Sequence, residues 1–160
     1  MKTITRTKIY LPMAALILAA LAIPAAAQQQ VPFKGTFQGK DAVNPPTIAT
    51  SGTGIGTLMG VFSLTQETSL TTLTGPAHWV AANGDSIDST FVALPDFSTQ
   101  SLGYITVTEI HTITGGTGRF AGAEGNFVLD RTHILAPSAD GTHVTFGSFH
   151  GTITPPVAAH

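Results

Sequence analysis

The chain has 160 residues, 42% of them hydrophobic and only 10% charged, with no cysteine and a formal net charge of −2. The missing cysteine excludes disulfides, a thiolate metal site and a cysteine nucleophile. The scarcity of Lys and Arg argues against a nucleic-acid or anionic-membrane partner.

In chain order, Lys2, Arg6 and Lys8 precede an apolar run over residues 11–23, and Ala25, Ala26 and Ala27 follow it. A basic start, a short apolar run and a small-residue site predict a secretory signal peptide, residues 1–27, cleaved before Gln28. The run is too short and too rich in alanine for a convincing membrane span. The expected product is one domain, residues 28–160, secreted or periplasmic and free of the membrane after cleavage. It keeps four Lys and Arg against nine Asp and Glu, a net charge of −5.

From Val31 onward short runs of Thr, Val, Ile and Phe alternate with Gly, Pro, Asn and Asp, the pattern of an all-β domain. Residues 33–39 read as a first strand with Phe33 and Phe37 on one face. Asn44, Pro45 and Pro46 interrupt it, and residues 47–54 read as loop. A long strand is expected over residues 55–68, bent at Gly56 and Gly60. Asn83-Gly84 marks a hairpin within residues 75–93. A two-residue turn there pairs Ala82 with Asp85 and Val80 with Ile87, placing His78, Val80, Ile87 and Phe91 on one face. Residues 95–101 read as loop, 136–141 as turn and 142–153 as the last strand.

The stretch 104–134 organises the rest. Two alternating runs flank Gly115, Gly116, Gly118, Gly122 and Gly125, which predicts paired strands joined by a glycine-rich loop, with Phe120 folded back as an apolar plug. Gly116, Gly118 and Ala121 also fit a G-x-G-x-x-A dinucleotide pattern. The preceding strand alternates and no amphipathic helix follows, so the context for that motif is wrong.

Alternation puts Val107, Glu109, His111 and Ile113 on one face and Phe127, Leu129, Arg131 and His133 on the matching face of the second strand. Setting Ile113 opposite Phe127 brings Glu109 opposite Arg131 and His111 opposite Leu129. Glu109, His111 and Arg131 are therefore the catalytic candidates, as acid, base and anion anchor. Val107, Phe127, Leu129 and His133 complete a candidate ligand-binding face. The competing reading is a buried ion pair that plugs the interior. His111 and His133 would need His78 or His150 beside them to hold zinc, and neither a metal nor a cofactor is expected. No G-x-S-x-G elbow is present.

The run HTITGGTGRFAGAEGNFVLDR resembles the glycine-rich signature of allene oxide cyclase and dirigent barrels, and more closely that of small exported bacterial proteins of the same barrel type. The same resemblance covers residues 33–39, 81–85, 109–131 and 147–153. It implies one antiparallel up-and-down barrel of about eight strands, with polar groups inside around an apolar ligand. Where those bacterial relatives often carry a His and an Arg in THLGRFT, this chain has TLMGVFS at residues 57–63, and His150 replaces an Asp. An activity that needs those polar groups is not carried over.

The leading functional expectation is a non-enzymatic module that binds a small apolar molecule or a surface partner, or serves structurally. The runner-up is a cyclase-like or isomerase-like enzyme acting on a small apolar substrate in the barrel. The third is a matrix or surface-interaction protein whose threonine-rich outer faces make the contact.

Overall fold

Inward and outward side chains alternate along eight strands, and the computed structural model, which describes residues 29–154, closes those strands into one antiparallel barrel. They are β1 (Val31–Asn44), β2 (Thr47–Gly56), β3 (Gly60–Ser69), β4 (Thr74–Ala81), β5 (Ser86–Asp96), β6 (Tyr104–Gly116), β7 (Gly125–Pro137) and β8 (His143–Ile153). Each pairs with its sequence neighbours, and β8 closes on β1 from Val31 opposite Ile153 to Asp41 opposite His143. Two 3-10 turns, Gln100–Leu102 and Gly118–Phe120, are the only helical pieces among the described residues. The expected signal peptide, residues 1–27, lies outside them.

The interior is sorted along the barrel axis. At the end capped by the β6–β7 loop, Phe33, Phe62, Trp79, Phe127 and Phe149 pack with ring centroids 4.9 to 5.8 Å apart, mostly edge to face. Such packing adds to the area these rings bury. Phe120 is fully buried, as the plug reading requires, and Gly118 and Gly122 take the positive φ values that let the chain fold back. Toward the other end gather the buried polar residues Asp41, Thr50, Gln66, Thr68, Glu109, Arg131, His133 and Thr145.

One wall is thin. Gly54 on β2 faces inward, and a Cβ there would lie 2.4 Å from the Phe62 ring; one at Gly35 on β1 would lie 2.6 Å from the ring of Phe149. Glycine on that wall is what makes room for the aromatic rings from β3 and β8.

Four local expectations are corrected. β1 runs on to Asn44 instead of ending at Gly39, because Pro45 and Pro46 sit in the turn beyond it. Residues 47–54 are strand, not loop: β2 turns Thr50, Gly52, Gly54 and Gly56 inward, so it has no apolar stripe to read. Residues 55–68 are not one bent strand, since Thr57, Leu58 and Met59 form a turn and Met59 tucks into the core.

The β4–β5 turn has three residues rather than two. Gly84 N–H donates to the Ala81 carbonyl, Gly84 has φ +90°, and Trp79 pairs with Ile87 and His78 with Asp88. This is the arrangement of a type I turn closed by a glycine bulge. Trp79, not His78 or Val80, shares the inward face with Ile87 and Phe91.

Candidate functional site

Every residue of the candidate ligand-binding face points into the barrel: Val107, Glu109 and His111 from β6, and Phe127, Leu129, Arg131 and His133 from β7. The register differs from the expected one by two residues. Ile113 pairs with Gly125, which puts Glu109 opposite Leu129, His111 opposite Phe127 and Arg131 opposite Val107. A two-residue slip preserves the faces. Glu109 and Arg131 consequently meet on the diagonal, with Arg131 Nε 3.0 Å from Glu109 Oε1. That contact is out of line for a hydrogen bond, so it is an ion pair alone.

Arg131 also reaches away from Glu109. Its Nη1 donates to Asp41 Oδ1 at 3.2 Å and to Thr50 Oγ1 at 3.3 Å, so one guanidinium lies between two buried carboxylates. Asp41 further accepts from Thr50 Oγ1 at 2.6 Å and meets His133 Nδ1 at 2.5 Å. Burial raises the Asp41 pKa. The His133 hydrogen bond, the Arg131 charge and the Thr50 hydroxyl outweigh that effect and hold the carboxyl below its ordinary value of 3.8.

The second branch starts at Glu109, whose two oxygens accept from Gln66 Nε2 at 2.9 and 3.0 Å. His111 Nε2 lies 3.3 Å from Glu109 Oε2, and His111 Nδ1 lies 3.1 Å from Ser89 Oγ. Ser89 Oγ accepts from Trp79 Nε1. An indole nitrogen only donates, so the Ser89 proton is left for His111 Nδ1, and the neutral imidazole carries its proton on Nε2 toward Glu109. Burial favours the neutral ring and lowers the His111 pKa from 6.5, outweighing the Glu109 carboxylate. The ring is stacked between Phe127 at 4.4 Å and Phe91 at 5.0 Å.

Ser89, His111 and Glu109 thus form a serine-imidazole-carboxylate row. It lacks the features of a hydrolytic triad: the serine oxygen is capped by Trp79, the carboxylate is on Nε2 rather than Nδ1, and all three groups are buried.

His78 and His150 stand on the outer face, His78 bonded to Asp88 at 2.6 Å, so neither joins His111 or His133. Gly115, Gly116, Gly118, Gly122 and Gly125 shape the loop that caps the apolar end and bring no polar side chain to this cluster.

Reasoning from sequence missed Asp41, Thr50, Gln66 and Ser89. Asp41 was within reach, since Phe33, Phe37 and Asp41 recur every four residues on one strand face. In comparisons with protein families, curated proteins and solved structures, nothing matches the chain.

Proposed function

We propose that the protein is an exported, non-enzymatic β-barrel module whose interior is a load of packed rings and mutually satisfied charges, and whose work is done by its outer surface. The observation that supports this is that each buried carboxylate of the polar network finds its partners inside the barrel. Glu109 is held by Gln66, His111 and Arg131, and Asp41 by Thr50, Arg131 and His133, within an interior otherwise occupied by aromatic and aliphatic side chains. A charge pair so placed serves specificity of packing as readily as chemistry. A small apolar ligand in the barrel would have to displace Trp79, Phe127 or Phe149. The proposal includes cleavage before Gln28, delivery to the periplasm or beyond, and kinship with the allene oxide cyclase-like and dirigent-like barrels.

Native mass spectrometry of the protein purified from its source tests the filled interior. The expected spectrum is that of the mature chain alone. A retained apolar molecule released only on unfolding would overturn the reading.

A cyclase-like or isomerase-like enzyme is the second reading, and one feature favours it. The Asp41–His133 pair and Arg131 lie at the polar end, and Gln66 Oε1 and Thr68 Oγ1 beside them are buried without a protein partner. A substrate entering there would meet a carboxylate, an imidazole and two free hydrogen-bonding atoms. Retention of a polar molecule that is lost from a His133→Phe variant would favour this reading over the first.

A further inference from the structure

The outer face of β4 to β7 carries an apolar strip. Val92 of β5, Ile110 of β6 and Val128 of β7 lie directly opposite one another in one cross-strand row, and Leu94 stands two residues further along β5. Val92, Leu94 and Ile110 are 47, 52 and 48% exposed, and Val128 is half-buried. Neighbours in such a row interact, so the four form a continuous patch, unlike exposed apolar residues scattered singly over a surface.

Carboxylates surround the patch. Asp96 follows Leu94 by two residues on β5, and Asp130 of β7 ends the cross-strand row of Leu94 and Thr108, which puts both acids within about 10 Å of Leu94 by strand spacing. At the other end of β5, Asp88 and Glu67 share a cleft of about 390 Å³ with Pro76 and Thr90. His78 is bonded to Asp88 there, and Glu67, Asp96 and Asp130 make no ion pair among the described residues. The described Lys and Arg side chains all lie elsewhere. Lys34 and Lys40 stand on β1, on the opposite wall of the eight-stranded barrel, Arg119 in the β6–β7 loop pairs with Asp85, and Arg131 is buried inside.

We propose that this face docks a cationic amphipathic segment of another protein or peptide, its apolar side chains on Val92, Leu94 and Ile110, and its Lys or Arg on Asp96 and Asp130 at one end and on Glu67 and Asp88 at the other. Charge complementarity carries the choice of occupant: four carboxylates with no Lys or Arg among them favour a basic partner, and the apolar centre favours an amphipathic one over a purely charged one. The same rim weighs against a second copy of this chain and against an anionic lipid surface, since each would set like charges face to face. Every strand of a closed barrel is paired on both sides, so the partner lies on the side-chain face instead of adding a strand to an edge.

This inference rests on the reading of the outer surface as the working face. The two tests are separate: a molecule retained inside the barrel would overturn the filled interior, and only a titration of the β4–β7 face bears on the cationic partner.

The titration uses the mature protein and a helical peptide of Leu and Lys with its leucines on one face, followed by calorimetry and amide shifts. Binding is expected to perturb β4 to β7, to weaken with salt, and to fall about threefold in Asp96→Asn and in Asp130→Asn, the size of one exposed ion pair each. A Leu94→Ser, Ile110→Ser double change, at exposed positions, is expected to weaken it about tenfold. Glu124→Gln, which removes an exposed carboxylate of the β6–β7 loop, is expected to bind like the parent. The matching peptide of Leu and Glu is expected not to bind. An equal loss in Glu124→Gln, equal affinity for polylysine, an undiminished double variant, or a dimer of the protein alone that the double variant abolishes would each overturn the proposal.

Discussion

Arg131 and Glu109 face each other across β6 and β7 on the diagonal, one pair out of register, and the same guanidinium spans on to Asp41 of β1. One cation therefore balances two buried carboxylates from different strands. Removing it leaves both without their cationic partner. Arg131→Met should destabilise by about 3 to 5 kcal/mol, the usual cost of breaking a buried pair from one side. Had the pair been isolated, a Glu109→Leu, Arg131→Met double change would restore most of that loss. Here it should restore only part, because Asp41 remains buried with Thr50 and His133 alone. Adding Asp41→Asn should recover more. Urea melts of the single, double and triple variants give the answer, and additive small effects would show that the three groups are not coupled.

Phe120 closes the opposite end, and Arg119 lies over its ring at 5.0 Å while pairing with Asp85. Phe120→Ala should cost about 3 to 5 kcal/mol, the range for deleting a fully buried aromatic ring. Gly118→Ala tests the loop that delivers it. At φ +57° the new Cβ would lie 1.8 Å from Asp85 Oδ1, so Asp85 must move and its contact with Arg119 must loosen. Both variants should unfold at lower urea than the parent, and an unchanged midpoint for Phe120→Ala would remove the ring from the core.

The inward face was legible in the sequence because side-chain direction has a period of two, and Glu109, His111, Arg131 and His133 fall on it whatever the pairing. The register was not legible, since a slip of two residues moves every partner and changes no face. The β4–β5 hairpin failed differently. Asn83-Gly84 signals a turn, but Gly84 closes a three-residue loop, and that single extra residue exchanges Trp79 for Val80 opposite Ile87. β2 was invisible for a third reason: a strand that turns Gly52, Gly54 and Gly56 inward, the last two against the Phe62 and Phe149 rings, carries no hydrophobic pattern. With it went Thr50, which no alternation marks, whereas Asp41 continues the spacing of Phe33 and Phe37 on β1 and was lost only because that strand was ended at Gly39.

The proposed export makes a prediction independent of the barrel. Chain recovered from the periplasm or the medium should begin at Gln28, by N-terminal sequencing, because Ala25 to Ala27 supply the small residues a signal peptidase needs. Recovery only from membranes, with Lys2 still attached, would refute it.

Acid should weaken the barrel in two stages. The His111 pKa is lowered in the folded state, so above 6.5 the imidazole is neutral in both states and its contribution to stability is constant. Below 6.5 the unfolded chain takes up a proton that the buried ring refuses, and stability falls as pH drops toward the folded-state value. One proton gives a slope of at most about 1.4 kcal/mol per pH unit. Asp41 acts lower down and in the same direction. Its folded-state pKa is depressed, so its contribution is complete above 3.8 and is lost as pH falls from there through the folded value. Urea midpoints measured from pH 8 to pH 3 should decline first below about 6.5 and again below about 4. His111→Gln should flatten the upper limb while leaving the lower one, and Asp41→Asn should do the reverse. An upper limb that survives in His111→Gln would mean that another group takes up the proton, and the buried Trp79-Ser89-His111-Glu109 chain would then lose its role in setting the acid limit of the fold.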